Sequence, residues 1–97
     1  MDQKDTAVHP GKILQKAFME PMGLNQNQLA IALHVPPRRI NEIVLCKRRI
    51  TADTALRLAR YFNNDPRYWL GLQMDHDLSL AEKAAGDKIG KEVTPRS

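Results

Sequence analysis

Five basic side chains crowd one short window of the chain, Arg38 and Arg39 at its start and Lys47, Arg48 and Arg49 at its end. Only Glu42 opposes them there. The window carries a net charge of +4, which is also the net charge of all 97 residues. Everything outside it is balanced, so the excess is focused, and a focused basic patch is the footprint of a surface that meets a polyanion. Arginine suits that chemistry because its planar fork makes paired hydrogen bonds to guanine O6 and N7. Arg38 and Arg39, interleaved with Asn41 and Glu42, are the candidates for reading base edges. Asn41 can serve a base edge or a phosphate, and Glu42 can accept from cytosine N4 or orient Arg38 one turn away. Lys47, Arg48 and Arg49 read as phosphate contacts, which position a protein without specifying sequence.

Other chemistry finds little support. Asp75, His76 and Asp77 are consecutive, and consecutive helical residues point apart, so they do not converge on a metal ion. Cys46 is the single cysteine, which excludes an internal disulfide and a multi-cysteine zinc site. No glycine-rich phosphate loop, paired acid/base carboxylates or Ser/His/Asp set presents itself. Neither an enzyme nor a cofactor is expected.

The elements that must carry the basic window read as helices. Pro10 suits a first helical position, and Ile13, Leu14, Ala17 and Phe18 form an apolar stripe that Pro21 is expected to end. Asn25 and Gln28 have capping-box spacing, and Leu29, Ala30 and Leu33 face inward. His34 and Val35 make a turn, after which Pro36 and Pro37 open a helix with Ile40, Ile43 and Val44 buried. Residues 24–45 are thus a helix-turn-helix with a basic second helix, the element that enters a major groove. Thr51 is expected to cap a fourth helix whose apolar face is Ala55, Leu56, Leu58, Ala59 and Phe62. Asp65 caps a fifth, which has Pro66 at its first position. That helix has two apolar stripes, Trp69–Leu72–His76–Leu80 and Leu70–Met74–Leu78. Trp69 reads as a core anchor. One stripe serves the domain's own core, so Leu70, Met74 and Leu78 are expected at a dimer interface, the alternative being burial of both stripes in one monomer. No segment alternates with a strand's period.

Ninety-seven residues make one small domain, for which a dimer partner adds buried surface. The opening Met-Asp-Gln-Lys-Asp-Thr has no apolar leader segment, and no run approaches the roughly 20 apolar residues of a membrane span. A cytoplasmic protein without a membrane partner is expected. Residues 1–8 and 83–97 are expected to be flexible termini around a DNA-binding and dimerisation domain at 9–82.

The order of five helices, with the helix-turn-helix second and third, resembles the lambda-repressor-like (Xre) DNA-binding domain. Longer motifs narrow the resemblance. His9-Pro10-Gly11-Lys12-Ile13-Leu14, Glu20-Pro21-Met22-Gly23-Leu24, Pro36 to Ile43, Ile50 to Ala59, and Tyr68-Trp69-Leu70-Gly71-Leu72-Gln73 are similar to segments of HigA-type (VapI-like) antidote proteins. The match covers residues 9–82, about three quarters of the chain. It implies an all-α, compact five-helix lambda-repressor-like domain with a short N-terminal arm. It also implies a homodimer that represses its own promoter at double-stranded operator DNA and binds a HigB-type toxin that cleaves messenger RNA. Gln26 stands where such domains brace the DNA backbone and the recognition helix.

Departures from the pattern are informative. Leu45-Cys46 replaces the usual Asn-Gly, so the helix runs on or Cys46 is strained. Arg49 stands where glycine is common, Gly71 replaces an asparagine, and Pro37 occupies a position that often carries a base-reading glutamine. Two domains on a two-fold axis imply an inverted-repeat operator with half-sites about one helical turn apart. A stand-alone regulator without a toxin, or a protein-binding module with vestigial DNA binding, remain as other readings.

Overall fold

The computed structural model describes residues 7–96. Five helices follow one another, with no strand among the described residues. They are α1 over residues 10–22, α2 Gln26–Leu33, α3 Pro37–Val44, α4 Ala52–Phe62 and α5 Pro66–Glu92. The first four close alike, each with a residue in the left-handed region: Gly23 (φ 67°), His34 (58°), Cys46 (65°) and Asn63 (59°). The next residue's N–H returns to a carbonyl five residues back, as in Leu24 to Met19 (2.9 Å), Val35 to Ala30 (3.1 Å), Lys47 to Glu42 (2.8 Å) and Asn64 to Ala59 (3.0 Å). This is the Schellman closure; it satisfies carbonyls the helix would otherwise leave open and turns the chain sharply. Asn63 tolerates that backbone and Gly23 suits it, but His34 and Cys46 adopt it against their preference.

Helix starts follow the sequence with one exception. Asn25 Oδ1 accepts from Gln28 N–H at 2.8 Å and Gln28 Oε1 from Asn25 N–H at 2.9 Å, the full capping box. Asp65 accepts from Arg67 N–H. Thr51 occupies the N-cap position but makes no cap bond; its hydroxyl lies 3.5 Å from Thr54 Oγ1 instead.

α1 departs from expectation at Pro21, which does not end it. The segment Leu14–Met19 is π-helical, and Glu20 N–H bonds to Gln15 O before the chain runs through Pro21 to Met22. A wider turn relieves the clash between the proline ring and the carbonyl four residues back. It also advances fewer degrees per residue, so the apolar stripe drifts: Ala17 is exposed and Met19 is buried.

The core is built mainly from the first four helices, with Leu14, Leu29, Ile40, Ile43 and Leu58 among its fully buried members, and α5 contributes Trp69. Trp69 is anchored by Nε1–H donation to Asn64 Oδ1 at 3.0 Å and packs with Phe18, the ring centroids 4.8 Å apart. Leu56, expected on the buried face of α4, is exposed, and Thr54 takes an inward position.

Both termini correct the sequence reading where they are described. Ala7 is tied to α5: its N–H donates to Ser79 Oγ at 2.8 Å and its carbonyl accepts from His76 Nδ1 at 2.8 Å. The expectation for residues 1–6 and for Ser97 lies outside the described residues. From Lys83 to Glu92 the expected frayed tail continues α5 instead. At 27 residues α5 is about 40 Å long. Gly71 does not interrupt it, and its last turns, from Asp87 on, are exposed among the described residues.

Candidate nucleic-acid interface

α3 is held by its apolar face and by one close backbone approach. Ile40, Ile43 and Val44 are buried, and the side chains of Arg38, Asn41 and Leu45 lie on the exposed face. At its C-terminal end the backbone of Gly11 touches that of Ile43; a β-carbon on Gly11 would stand 1.8 Å from the Ile43 carbonyl oxygen. Glycine is required there by space. α2 braces the exposed face, with Asn41 Nδ2 donating to Gln26 Oε1 at 3.0 Å. Gln26 thus links the start of α2 to the exposed face of α3.

Carboxylates are spaced among the cations. Glu42 accepts from Arg38 Nε at 3.1 Å and from Arg48 Nε at 2.8 Å. These two arginines, Arg48 first, hold its pKa below the usual glutamate value. Arg39 turns toward α4 and donates to Asp53 Oδ2 at 2.9 Å, where Arg57 Nε also donates at 2.9 Å. Arg57 and Arg39 together depress the Asp53 pKa. Arg57 also donates to the carbonyl of Leu33 at 2.8 Å, tying α4 to the end of α2. Arg49 pairs with Asp77 on α5, and that hydrogen bond is the main cause of a lowered Asp77 pKa. Lys47 makes no ion pair among the described residues.

Two devices aim the basic loop. Cys46, left-handed, swings the chain off the end of α3. Four residues later Ile50 is buried and its N–H donates to Gln73 Oε1 at 2.8 Å, while Gln73 Nε2 donates to Asp77 Oδ1 at 3.0 Å. Gln73 is itself buried with its oxygen and its nitrogen each engaged, so it is an internal clamp between the loop and α5. Behind the loop His9 and His76 meet edge to face with centroids 4.9 Å apart. His9 Nδ1 accepts from Gly11 N–H at 2.9 Å. Its pKa is lowered, first by burial and then by His76, with Asp77 acting in the opposite sense. His76 thus faces Ala7 and His9 while Asp77 faces Arg49, in separate directions.

The structure gathers Arg38, Asn41, Glu42 and Arg48 on one exposed surface with Lys47 and Arg49 beside it. Arg39 stands apart, on the flank toward Asp53, and can reach a base only by leaving that carboxylate. Glu42 has an arginine on each oxygen, so a base that donates to it shares those oxygens with the arginines. Sequence reasoning missed Asp53, Arg57, Gln73 and Asp77 as supports of the surface. The i, i+4 spacing of Asp53 with Arg57 and of Gln73 with Asp77 was the available signal. Leu70 (37% exposed), Met74 (57%) and Leu78 (53%) form an open apolar stripe on α5, whereas Trp69 is buried and Leu72 and His76 are half-buried. The two stripes are not both buried in one chain.

A helix-turn-helix family model matches residues 15–69. Virulence-associated protein I of Dichelobacter nodosus is 57% identical over 77 residues, 79% of this chain and 71% of that protein. Among solved structures, an addiction module antidote protein of the HigA family from Coxiella burnetii superposes with a TM-score of 0.90 at 45% identity, covering 94% of this chain and 99% of that one. Pseudomonas aeruginosa antitoxin HigA, solved with the higBA promoter, gives a TM-score of 0.90 at 37% identity over 94% and 99% of the two chains.

Proposed function

This chain belongs to the Xre-like helix-turn-helix family of HigA-type antidote proteins, and we propose that it is a sequence-specific DNA-binding antitoxin that represses its own operon from the cytoplasm. One observation carries the reading: α3 buries Ile40, Ile43 and Val44 and turns Arg38, Asn41 and Glu42 outward beside the cationic loop 47–49. A rigid helix with its polar face free and a basic flank is what a major groove accepts. Arg38 and Asn41 read base edges, Glu42 beside them accepts from a base or orients Arg38, and Arg39 joins them by exchanging its ion pair with Asp53 for a base. Gln26, Lys47, Arg48 and Arg49 serve the sugar-phosphate backbone. The P. aeruginosa relative solved with a promoter supports DNA binding by this fold.

The protein acts as a homodimer joined through Leu70, Met74 and Leu78. An isolated helix is marginal in water, and the projecting end of α5 gains most from a partner helix. The operator is an inverted repeat with half-sites about one turn apart. With about six to eight phosphates neutralised per dimer, log affinity falls against log salt with a slope on the order of −5 to −7. The partner to be neutralised is a HigB-type mRNA-cleaving toxin.

A gel-shift on the chain's own upstream region with a salt titration tests the DNA reading. Retention of a duplex with no salt-dependent shift would remove it. Co-expression with a HigB-type toxin, sought as a small basic protein encoded beside this chain, tests the antitoxin reading: a stable complex and restored growth are expected. Promoter binding without a complex identifies a stand-alone regulator. Sedimentation tests the dimer, since Leu70→Ser with Met74→Ser and Leu78→Ser is expected to sediment as a monomer.

A further inference from the structure

Glu42 lies in the middle of the cationic face and holds one guanidinium on each oxygen. Arg38, one turn earlier on α3, donates Nε to Oε2 at 3.1 Å; Arg48, beyond the helix end, donates Nε to Oε1 at 2.8 Å and brings a terminal nitrogen to the same oxygen at 2.8 Å. The Arg38 side chain nonetheless stays 84% exposed. Because it spends Nε on Glu42, both its terminal nitrogens, the pair that grips guanine O6 and N7, have no partner among the described residues. Arg48 starts in the loop but folds back over the exposed face of α3. Two guanidiniums thereby hang from one carboxylate.

We propose that Glu42 is a positioning residue that determines sequence specificity: it yokes Arg38 and Arg48 into one reading unit and repels phosphates that approach without the right bases. This rests on the reading of α3 as the DNA-reading helix, and it gives Arg48 a part in discrimination as well as in backbone contact. An arginine already fixed loses less freedom when it meets its base. The carboxylate acts in the opposite direction on wrong sequences, because a phosphate close to Glu42 meets a like charge that no base contact offsets. Discrimination by repulsion of the wrong partner adds to discrimination by attraction of the right one. Arg39 lies outside the unit, since Asp53 holds it on the flank.

The two parts of the role separate in two variants. Glu42→Gln removes the charge and weakens both pairs. Glu42→Asp keeps the charge but is one methylene too short to hold both arginines. Binding is measured by fluorescence anisotropy over a salt series, on a duplex enriched by the wild-type protein from a randomised pool and on a scrambled duplex of the same composition. Circular dichroism melts confirm the fold of each variant. Glu42→Gln is expected to bind the scrambled duplex more tightly, with a salt slope steeper by about 1 per protomer. Its preference for the enriched duplex is expected to fall about tenfold or more. Glu42→Asp should keep the wild-type slope and still lose preference about as far. Wild-type preference in both variants overturns the proposal. Wild-type preference in Glu42→Asp alone overturns the yoke. A wild-type protein that enriches no duplex overturns the DNA reading itself, an outcome distinct from either.

Discussion

Gly11→Ala sets steric contact against helix propensity, and the two predict opposite signs. Alanine exceeds glycine by up to about 1 kcal/mol in a helix, less at a first-turn position such as Gly11, so propensity alone makes the substitution stabilising. The structure says otherwise. The new β-carbon would stand 1.8 Å from the Ile43 carbonyl oxygen and 2.8 Å from its carbon, whereas ordinary contact begins at 3.4 Å. α1 and the end of α3 must part by about 1.6 Å. Both partners are backbone, so no rotamer change relieves the clash. Ile43 also accepts from Cys46 N–H, and the helix closure that aims the basic loop moves with it. Overpacking of this kind costs about 1–3 kcal/mol, and this case belongs at the upper end. After the propensity gain, a net loss of about 2 kcal/mol remains, a fall in Tm of roughly 8–16 °C for a domain of this size. Urea and thermal unfolding at one fixed protein concentration measure it, because the proposed dimer would make apparent stability depend on concentration. A Gly11→Ala protein as stable as wild type would refute the close approach and, with it, this account of how α3 is held.

Further outcomes concern the supports of the surface. Cys46→Gly relieves a left-handed residue (φ 65°) and is expected to stabilise by about 0.5–1 kcal/mol after glycine's extra unfolded-state freedom is deducted, read as a rise in urea midpoint. Gln73→Leu leaves the buried Ile50 N–H without its acceptor and should cost about 1–3 kcal/mol, with amide exchange at Ile50 sharply accelerated. His9 has a depressed pKa in the fold, so the unfolded chain binds the proton more tightly. Stability is full above about pH 6.5 and declines as pH falls through the lower folded-state value. Protonation also ends the Nδ1 cap on Gly11. Comparing urea midpoints at pH 7.5 and 5.5 for wild type and His9→Asn isolates this, since Glu42, Asp53 and Asp77 are all depressed and lose their contribution at lower pH. The variant should show the flatter profile.

The sequence was most legible where one residue acts locally. The Asn25–Gln28 box, the prolines at helix starts and the inward triad Ile40, Ile43, Val44 follow from capping and a 3.6-residue period. Trp69 was legible as an anchor because its spacing matched the buried stripe. Legibility ended where geometry depended on distant chain. The π-helical stretch in α1 accommodates Pro21 and changes the phase of the stripe, which reading Pro21 as a helix end concealed. The helical tail looked weak by composition, yet it propagates from a helix already nucleated at Asp65, where extension costs little. Arg39 was indistinguishable from Arg38 by type; Asp53 on α4 separates them. Charge counting found the cations but not their partners, and four of the five basic residues in the window prove to be paired.

The central claim, that the exposed face of α3 reads sequence while the adjoining loop holds phosphates, is tested by comparing Arg38→Ala with Lys47→Ala. The readout is the ratio of affinities for an enriched and a scrambled duplex at fixed salt. Arg38→Ala should lower that ratio by about 1–3 kcal/mol in free-energy terms. Lys47→Ala should weaken both duplexes alike and make the salt slope shallower by about 1 per protomer. Equal losses on both duplexes from both substitutions would contradict the assignment of reading to this helix.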